Sequence, residues 1–281
     1  MTHTNRAFFR CPRQFRTCIT TAGLLVAAVF LLASVSCSSE QQLSIREDGS
    51  GEGRIVVDLH PMFIQYLKDV SAGFIEGDMD DERFSAFDID KINAAMEELE
   101  GVSLVSAVVE GEGALDLAFV FSHPEAILPD KAAGAGGNGG SEAGHGTSDG
   151  GSHKLVEFSS RGSERTLAVR IDSENFSRFF PLIGLEEQEA LMTFGPQPEP
   201  YTESEYIEMM QYALGDYEDE STIRRVLSRR ESTLKVEVDG EITEVEGFTL
   251  DGNTAEATIP FLRAATLSEP LEFAITWRPE E

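Results

Sequence analysis

Four stretches of this chain read as strand, turn, strand, and strands joined by tight turns can lie only antiparallel, because a parallel partner needs a long crossover. The first is "QLSIREDGSGEGRIVVDL" at 42–59, where Leu43 and Ile45, then Ile55, Val57 and Leu59, alternate with polar residues around "EDGSGEG". The second, "VSLVSAVVEGEGALDLAFVF" at 102–121, turns at 111–113. "KLVEFSS" and "ERTLAVRI" form the third, and "STLKVEVDGEITEVEGFTL" the fourth, with "VDGE" as its tight turn. "NTAEATIPFL" and "LEFAITW" add further strands near the end.

Helical periodicity fills the gaps between hairpins. In "HPMFIQYLKDVSAGF" at 60–74, Phe63, Leu67, Val70 and Phe74 make one stripe, and Pro61 suits a first helical position. "DIDKINAAMEELEG" at 88–101 has Asp88 to cap it, Ile89, Ile92, Met96 and Leu99 as its apolar face, and Gly101 to end it. "TESEYIEMMQYAL" at 202–214 opens with the capping box Thr202 and Glu205, and "ESTIRRVLSRR" at 220–230 predicts one more helix. Short helices are expected in "SENFSRFFPLIG" at 173–184 and in 185–195, and "SHPEAILPD" has room for another. Helices grouped between hairpins predict an α+β fold: a mainly antiparallel sheet built from hairpins, with amphipathic helices packed on one face.

Residues 132–153 contain nine glycines in 22 positions and no large apolar side chain, so nothing there offsets the entropy of ordering. A disordered loop joining two neighbouring strands is expected. The division is a leader at 1–36, the N-terminal half of the domain at 37–131, the loop at 132–153, and the C-terminal half at 154–281.

The leader has Arg6, Arg10, Arg13 and Arg16, no acidic residue, and then fifteen uncharged residues from Ile19 to Ala33. A basic segment followed by a short apolar one is the layout of an export signal, and the run falls short of the roughly 20 residues of a membrane span. "SVSC" at 34–37 resembles the cleavage motif of bacterial lipoproteins, in a relaxed form like that of spirochaete lipoproteins, with Ser36 before the cut and Cys37 acylated. An ordinary secretory leader and an uncleaved signal anchor are the alternatives. Cys11 and Cys18 lie in the leader, so the remaining chain has one cysteine and no possible internal disulfide. Lipid on Cys37, with palmitate as a typical acyl group, makes the membrane the first partner. With serines rather than aspartate at 38 and 39, outer-membrane placement in the cell envelope is slightly favoured.

Charge narrows the partners. Without the four leader arginines, 18 basic residues face 50 acidic ones, and the formal net charge moves from −28 to −32. Such a surface repels phosphate backbones, so nucleic acid is not an expected partner.

The start of the domain resembles that of LppM-like bacterial lipoproteins. Cys37, the strand at Leu43 to Ile45, the turn at Asp48 to Gly53, the strand at Ile55 to Leu59 and the helix at Pro61 to Phe74 carry the resemblance, with "VEGFTLDGNTAEATIPF" and the strand ending at Trp277 near the other end. It implies a cell-envelope protein, in a family one member of which is linked to lipid glycoconjugates. Many members have a C-terminal membrane helix, and this sequence ends in "RPEE".

No catalytic motif is assembled in the sequence. There is no H-E-x-x-H, G-x-S-x-G or G-x-x-x-x-G-K-[ST]. His60 and His123 each precede proline, which favours extended backbone at strand–helix junctions; His145 and His153 sit in the glycine loop. The acidic runs at 76–82 and 216–220 offer carboxylates without the loop pattern of a calcium site, so no metal or cofactor is expected. Arg224, Arg225, Arg229 and Arg230 are a dense basic cluster. Arg225 and Arg229 share one helix face and are open to an anionic contact, unless Glu220 and Glu231 neutralise them. Phe176, Phe179, Phe180, Leu182 and Ile183 are either core or the lining of a cleft for an apolar ligand.

The expected function is therefore a lipid-anchored envelope protein with a non-enzymatic binding or structural domain, for an amphiphilic ligand or an envelope partner. The alternative is an envelope hydrolase or carbohydrate-active enzyme whose paired carboxylates meet only in the fold. A pure spacer or assembly scaffold is the third class.

Overall fold

A computed structural model describes residues 37–74, 84–97, 99–127, 155–176, 195–197 and 199–279. The chain is α+β, with two sheets in which nearly every pairing is antiparallel. β1 (Cys37–Ile45) and β2 (Gly51–Leu59) form the first hairpin, with Cys37 opposite Leu59 and Ile45 opposite Gly51. Along β2 buried and exposed residues alternate without a break, as expected where one face packs on a core. α1 (Pro61–Phe74) follows directly, and α2 (Ile89–Glu97) is capped by Asp88, whose Oδ1 accepts from the Lys91 amide at 3.1 Å. β3 (Val102–Glu110) and β4 (Ala114–Phe121) pair as the second hairpin, and β5 (Val156–Arg161) and β6 (Glu164–Ile171) as the third.

A short α3 (Ser173–Phe176) follows β6. α4 (Glu203–Leu214) has the complete capping box of Thr202 and Glu205, and α5 (Glu220–Arg229) is capped by Asp219. β7 (Glu231–Val238), β8 (Glu241–Glu246), β9 (Thr249–Asp251), β10 (Thr254–Pro260), α6 (Phe261–Thr266) and β11 (Leu271–Arg278) complete the described fold.

The large sheet runs β3-β4-β2-β1-β7-β10-β9 and the small one β5-β6-β11-β8. This separates the expected fourth hairpin. β7 pairs with β1 and β10, whereas β8 pairs with β11. The end of β7 is tied down on both sides: the Val238 amide donates to the Asn253 carbonyl, and the Asp239 amide to that of Ile45. Gly240 then carries the chain to the other sheet at φ +144°, where a Cβ would collide with the Arg278 carbonyl. "VDGE" is thus a crossing between sheets rather than a hairpin turn. β4 and β5 also belong to different sheets, so the segment between them does not join neighbouring strands. The glycine stretch at 132–153 itself lies outside the described residues.

One core fills the space between the sheets, with Val57, Leu117 and Val236 from the large sheet, Leu167, Ile275 and Trp277 from the small one, and Ile92 and Met96 from α2. A second core gathers α1, α4, α5 and α6 through Phe63, Tyr206, Met210, Leu214, Ile223 and Phe261. Topology fixes where it sits. The parallel pairing of β1 and β7 brings the start of β7, and so the end of α5, beside Cys37. β2 ends and α1 begins there, as β10 ends and α6 begins. The helical core therefore caps the Cys37 end of the large sheet, and the β1–β2 turn lies at the other end.

Candidate functional site

Inner-face residues of β1 change character along the strand. Leu43 and Ile45 are apolar, whereas Ser39 and Gln41, nearer the helices, are polar and buried at 5% and 2% exposure. Buried polar groups need partners. Gln41 Nε2 donates to Ser39 Oγ at 2.7 Å, and Ser39 Oγ donates at 2.9 Å to Ser232 Oγ on β7, its neighbour in the parallel register.

Gln41 and Ser232 border a cavity of about 70 Å³ between the sheets and are its polar edge. Leu43, Leu234, Leu167, Val169, Leu267 and Phe273 are among the apolar residues that form its walls. A void of this size costs about 24 cal/mol per Å³, or about 1.7 kcal/mol here, unless something fills it. It is smaller than the roughly 300–1,000 Å³ of sites that enclose a whole small ligand, so it suits a segment of alkyl chain. One wall is strained: Leu267, just after α6, is buried with φ +42° and ψ +37°, a left-handed conformation that costs a non-glycine residue about 1–3 kcal/mol.

The outer face of the large sheet holds a shallower groove of about 420 Å³, bordered by Gln42, Glu52, Arg54, Lys235 and Glu237 among others. Arg54 forks onto Asp116 at 3.0 and 2.6 Å, and Lys235 bridges Glu40 and Glu256 at 3.0 and 3.8 Å. The Arg54 hydrogen bond holds the Asp116 carboxyl below its usual range, and hydrogen bonds from Gln42 and Lys235 do the same for Glu40. Among the described residues, every carboxyl displaced from its ordinary value is displaced downward, furthest at Asp219, which falls to about 2 because the hydroxyls of Ser221 and Thr222 donate to it.

Other expected sites fall as follows. Cys37 is the first residue of β1. Arg225 and Arg229 are exposed on α5, with Arg225 Nη2 donating to Thr222 Oγ1 at 3.0 Å. Neither pairs with Glu220 or Glu231, and among the described residues no carboxylate lies within 4 Å of any of the four clustered arginines. Arg230 instead donates through Nη1 to Ser38 Oγ at 3.1 Å. His60 and His123 stand at strand–helix junctions; burial and the nearby Arg230 charge lower the His60 pKa. Asp219, from the acidic run at 216–220, serves as the α5 cap, while the run at 76–82 lies outside the described residues. No group of three potential metal ligands occurs among the described residues.

Phe179, Phe180, Leu182 and Ile183, and the Phe176 side chain, also lie outside the described residues. β6 ends at Ile171 on the cavity wall. The polar edge of the cavity was not singled out in the sequence. Its signal was the period-two pattern of β1: counting back from Ile45 and Leu43 puts Gln41 and Ser39 on the same inner face.

The fold and cavity define a class: an α+β domain with an apolar space between two largely antiparallel sheets. No family model matches the chain, and no curated protein matches it. Among solved structures it is similar to the NMR structure of the folded domain of LppM from Mycobacterium tuberculosis, at 10% identity and a TM-score of 0.36, over 95% of this chain and 96% of that one. This is a weak likeness at the level of the fold. Among the described residues no helix is long and apolar enough to cross a membrane.

Proposed function

We propose that this is a lipid-anchored cell-envelope protein whose domain binds rather than catalyses, holding the apolar part of an amphiphilic molecule between its two sheets. The cavity between the sheets carries the reading. Its walls are apolar, its edge at Gln41 and Ser232 is polar, and the strained Leu267 backbone keeps a large side chain in its wall. Polar atoms at the edge of an otherwise apolar cavity suit the apolar part of an amphiphilic molecule. A segment of alkyl chain would lie along Leu43, Leu234 and Phe273, with the rest of the molecule outside the cavity. Export and anchoring follow from the basic and apolar leader and from "SVSC". A slight preference for the outer membrane rests on Ser38 and Ser39.

The anchor is tested by Cys37→Ala. The unaltered protein should fractionate with membranes and carry acyl mass on residue 37, while the variant should keep its leader or be released. Unacylated, soluble wild-type protein would refute the anchor. The alternative, an enzyme acting through paired carboxylates, has one observation in its favour: Glu52 and Glu237 border the same outer groove. Loss of a hydrolytic activity in Glu52→Gln and Glu237→Gln, with folding intact, would establish it.

A further inference from the structure

The arginine cluster of α5 lies at the end of the molecule where the anchor attaches. The parallel register aligns Ser39 with Ser232, and continued two residues back it sets Cys37 level with Arg230. The Arg230–Ser38 hydrogen bond at 3.1 Å closes this corner. Cys37 itself is paired, opposite Leu59, so no linker separates the anchoring residue from the folded domain that follows it. An acylated Cys37 would then hold the end of α5 against the bilayer. Asp58 and Glu218 are near enough to act on His60 together with Arg230, yet no described carboxylate reaches an arginine of the cluster. Arginine near a helix C-terminus also suits the helix dipole, so residue type alone decides nothing. Position does: this cluster lies beside the anchor in a chain of formal net charge −28.

From this juxtaposition we infer that Arg225 and Arg229, with Arg230 beside them, form a membrane-facing surface that pairs with anionic lipid headgroups and fixes the orientation of the anchored domain. The inference rests on the anchored reading of Cys37. Electrostatic attraction to a bilayer decays over about 8 Å at physiological ionic strength, so only cations held next to the surface contribute. Acidic residues of α4 and of the start of α5 share this end of the molecule, so the membrane-facing surface is confined to the corner formed by Cys37 and the C-terminal turn of α5.

The test uses the full chain, taken from membranes and reconstituted into vesicles of phosphatidylcholine alone or with phosphatidylglycerol. Ser228→Cys, exposed on α5, carries a fluorophore, and Glu47→Cys, about 30 Å away beyond the far end of β1, is the control. With the leader removed and Cys37 acylated, the introduced thiol is the only one to label. Headgroup-quencher lipid should quench the 228 label in anionic vesicles, less in neutral ones, and less again in molar salt, while the 47 label stays unquenched. Replacing Arg225 and Arg229 with Gln should weaken the preference by about fivefold for each arginine, and replacing both with Lys should retain it. Equal quenching at 228 in both vesicle types, on protein shown by mass to be acylated, overturns the inference and leaves the anchor standing. Protein that lacks acyl mass and labels at Cys37 overturns the anchored reading and the inference together.

Discussion

The core between the sheets and the core among the helices fill space differently. Among the helices, long and planar side chains interlock: Tyr206 meets Phe261 edge-on at 6.0 Å, Tyr66 meets Tyr217 at 6.1 Å, and Met210 and Leu214 are fully buried. Unbranched methionine adapts to irregular gaps. Between the sheets the walls stand about 10 Å apart, and the small residues Ser232 on β7 and Ala264 on α6 are among those that border the cavity. Among the described residues, the cavity bordered by Gln41 and Ser232 belongs to the inter-sheet core. The cavity therefore lies where the two sheets and the end of α6 meet.

Removing a large side chain from each core sharpens this contrast most. Phe119→Ala should cost about 3–5 kcal/mol, because Phe119 is buried and its ring lies over Gly53 on β2. Leu214→Ala should cost about 2–5 kcal/mol in the helical core. Trp277, the single tryptophan, is fully buried in the inter-sheet core, so its fluorescence reports that core while circular dichroism reports the helices. Because α1, α5 and α6 are each continuous with a strand of the large sheet, both variants should shift both signals together in denaturant. A helical signal that melts first in Leu214→Ala would split the cores into independent units.

Val169→Phe addresses the void. Filling it should stabilise the protein by up to about 1.5 kcal/mol, at about 24 cal/mol per Å³, and should abolish uptake of added amphiphile. Destabilisation with uptake unchanged would place the ligand elsewhere.

Much of the fold is legible because its signals are local. Asp88 and Thr202 cap helices where the sequence puts them, and the first three hairpins close around their glycine turns, whereas the Asp219 cap of α5 was read only as part of an acidic run. The parallel pairing of β1 with β7 has no local signal, since its partners are nearly two hundred residues apart, as the Ser39–Ser232 contact shows. That pairing decides which side chains meet at the cavity and which end of α5 lies by Cys37. The separation of β7 from β8 was hidden for a related reason: a glycine turn reads alike whether it reverses a strand or passes it to a second sheet. The exposed pairless state of Arg225 and Arg229 depends on side-chain placement around α5, which spacing alone does not give.

Smaller effects belong to the helix caps. Thr202→Ala removes half of the α4 capping box and should cost about 1 kcal/mol, read as a lower denaturation midpoint. Asp219 has a folded pKa of about 2 against an ordinary 3.8. A carboxyl lowered on folding stabilises the native state above its unfolded pKa and loses that contribution as pH falls through the folded one. The cap should therefore weaken between about pH 4 and pH 2, and Asp219→Asn should flatten the acid limb of the stability profile in that window. An unchanged acid limb would remove Asp219 from the account.

Native mass spectrometry of the chain purified from membranes tests the central claim most directly. The account predicts a covalent acyl mass on Cys37 and a separate, non-covalent amphiphile that is absent from Val169→Phe. A protein with no non-covalent adduct, which takes up no added lipid and whose spectrum matches that of the filled variant, would contradict it.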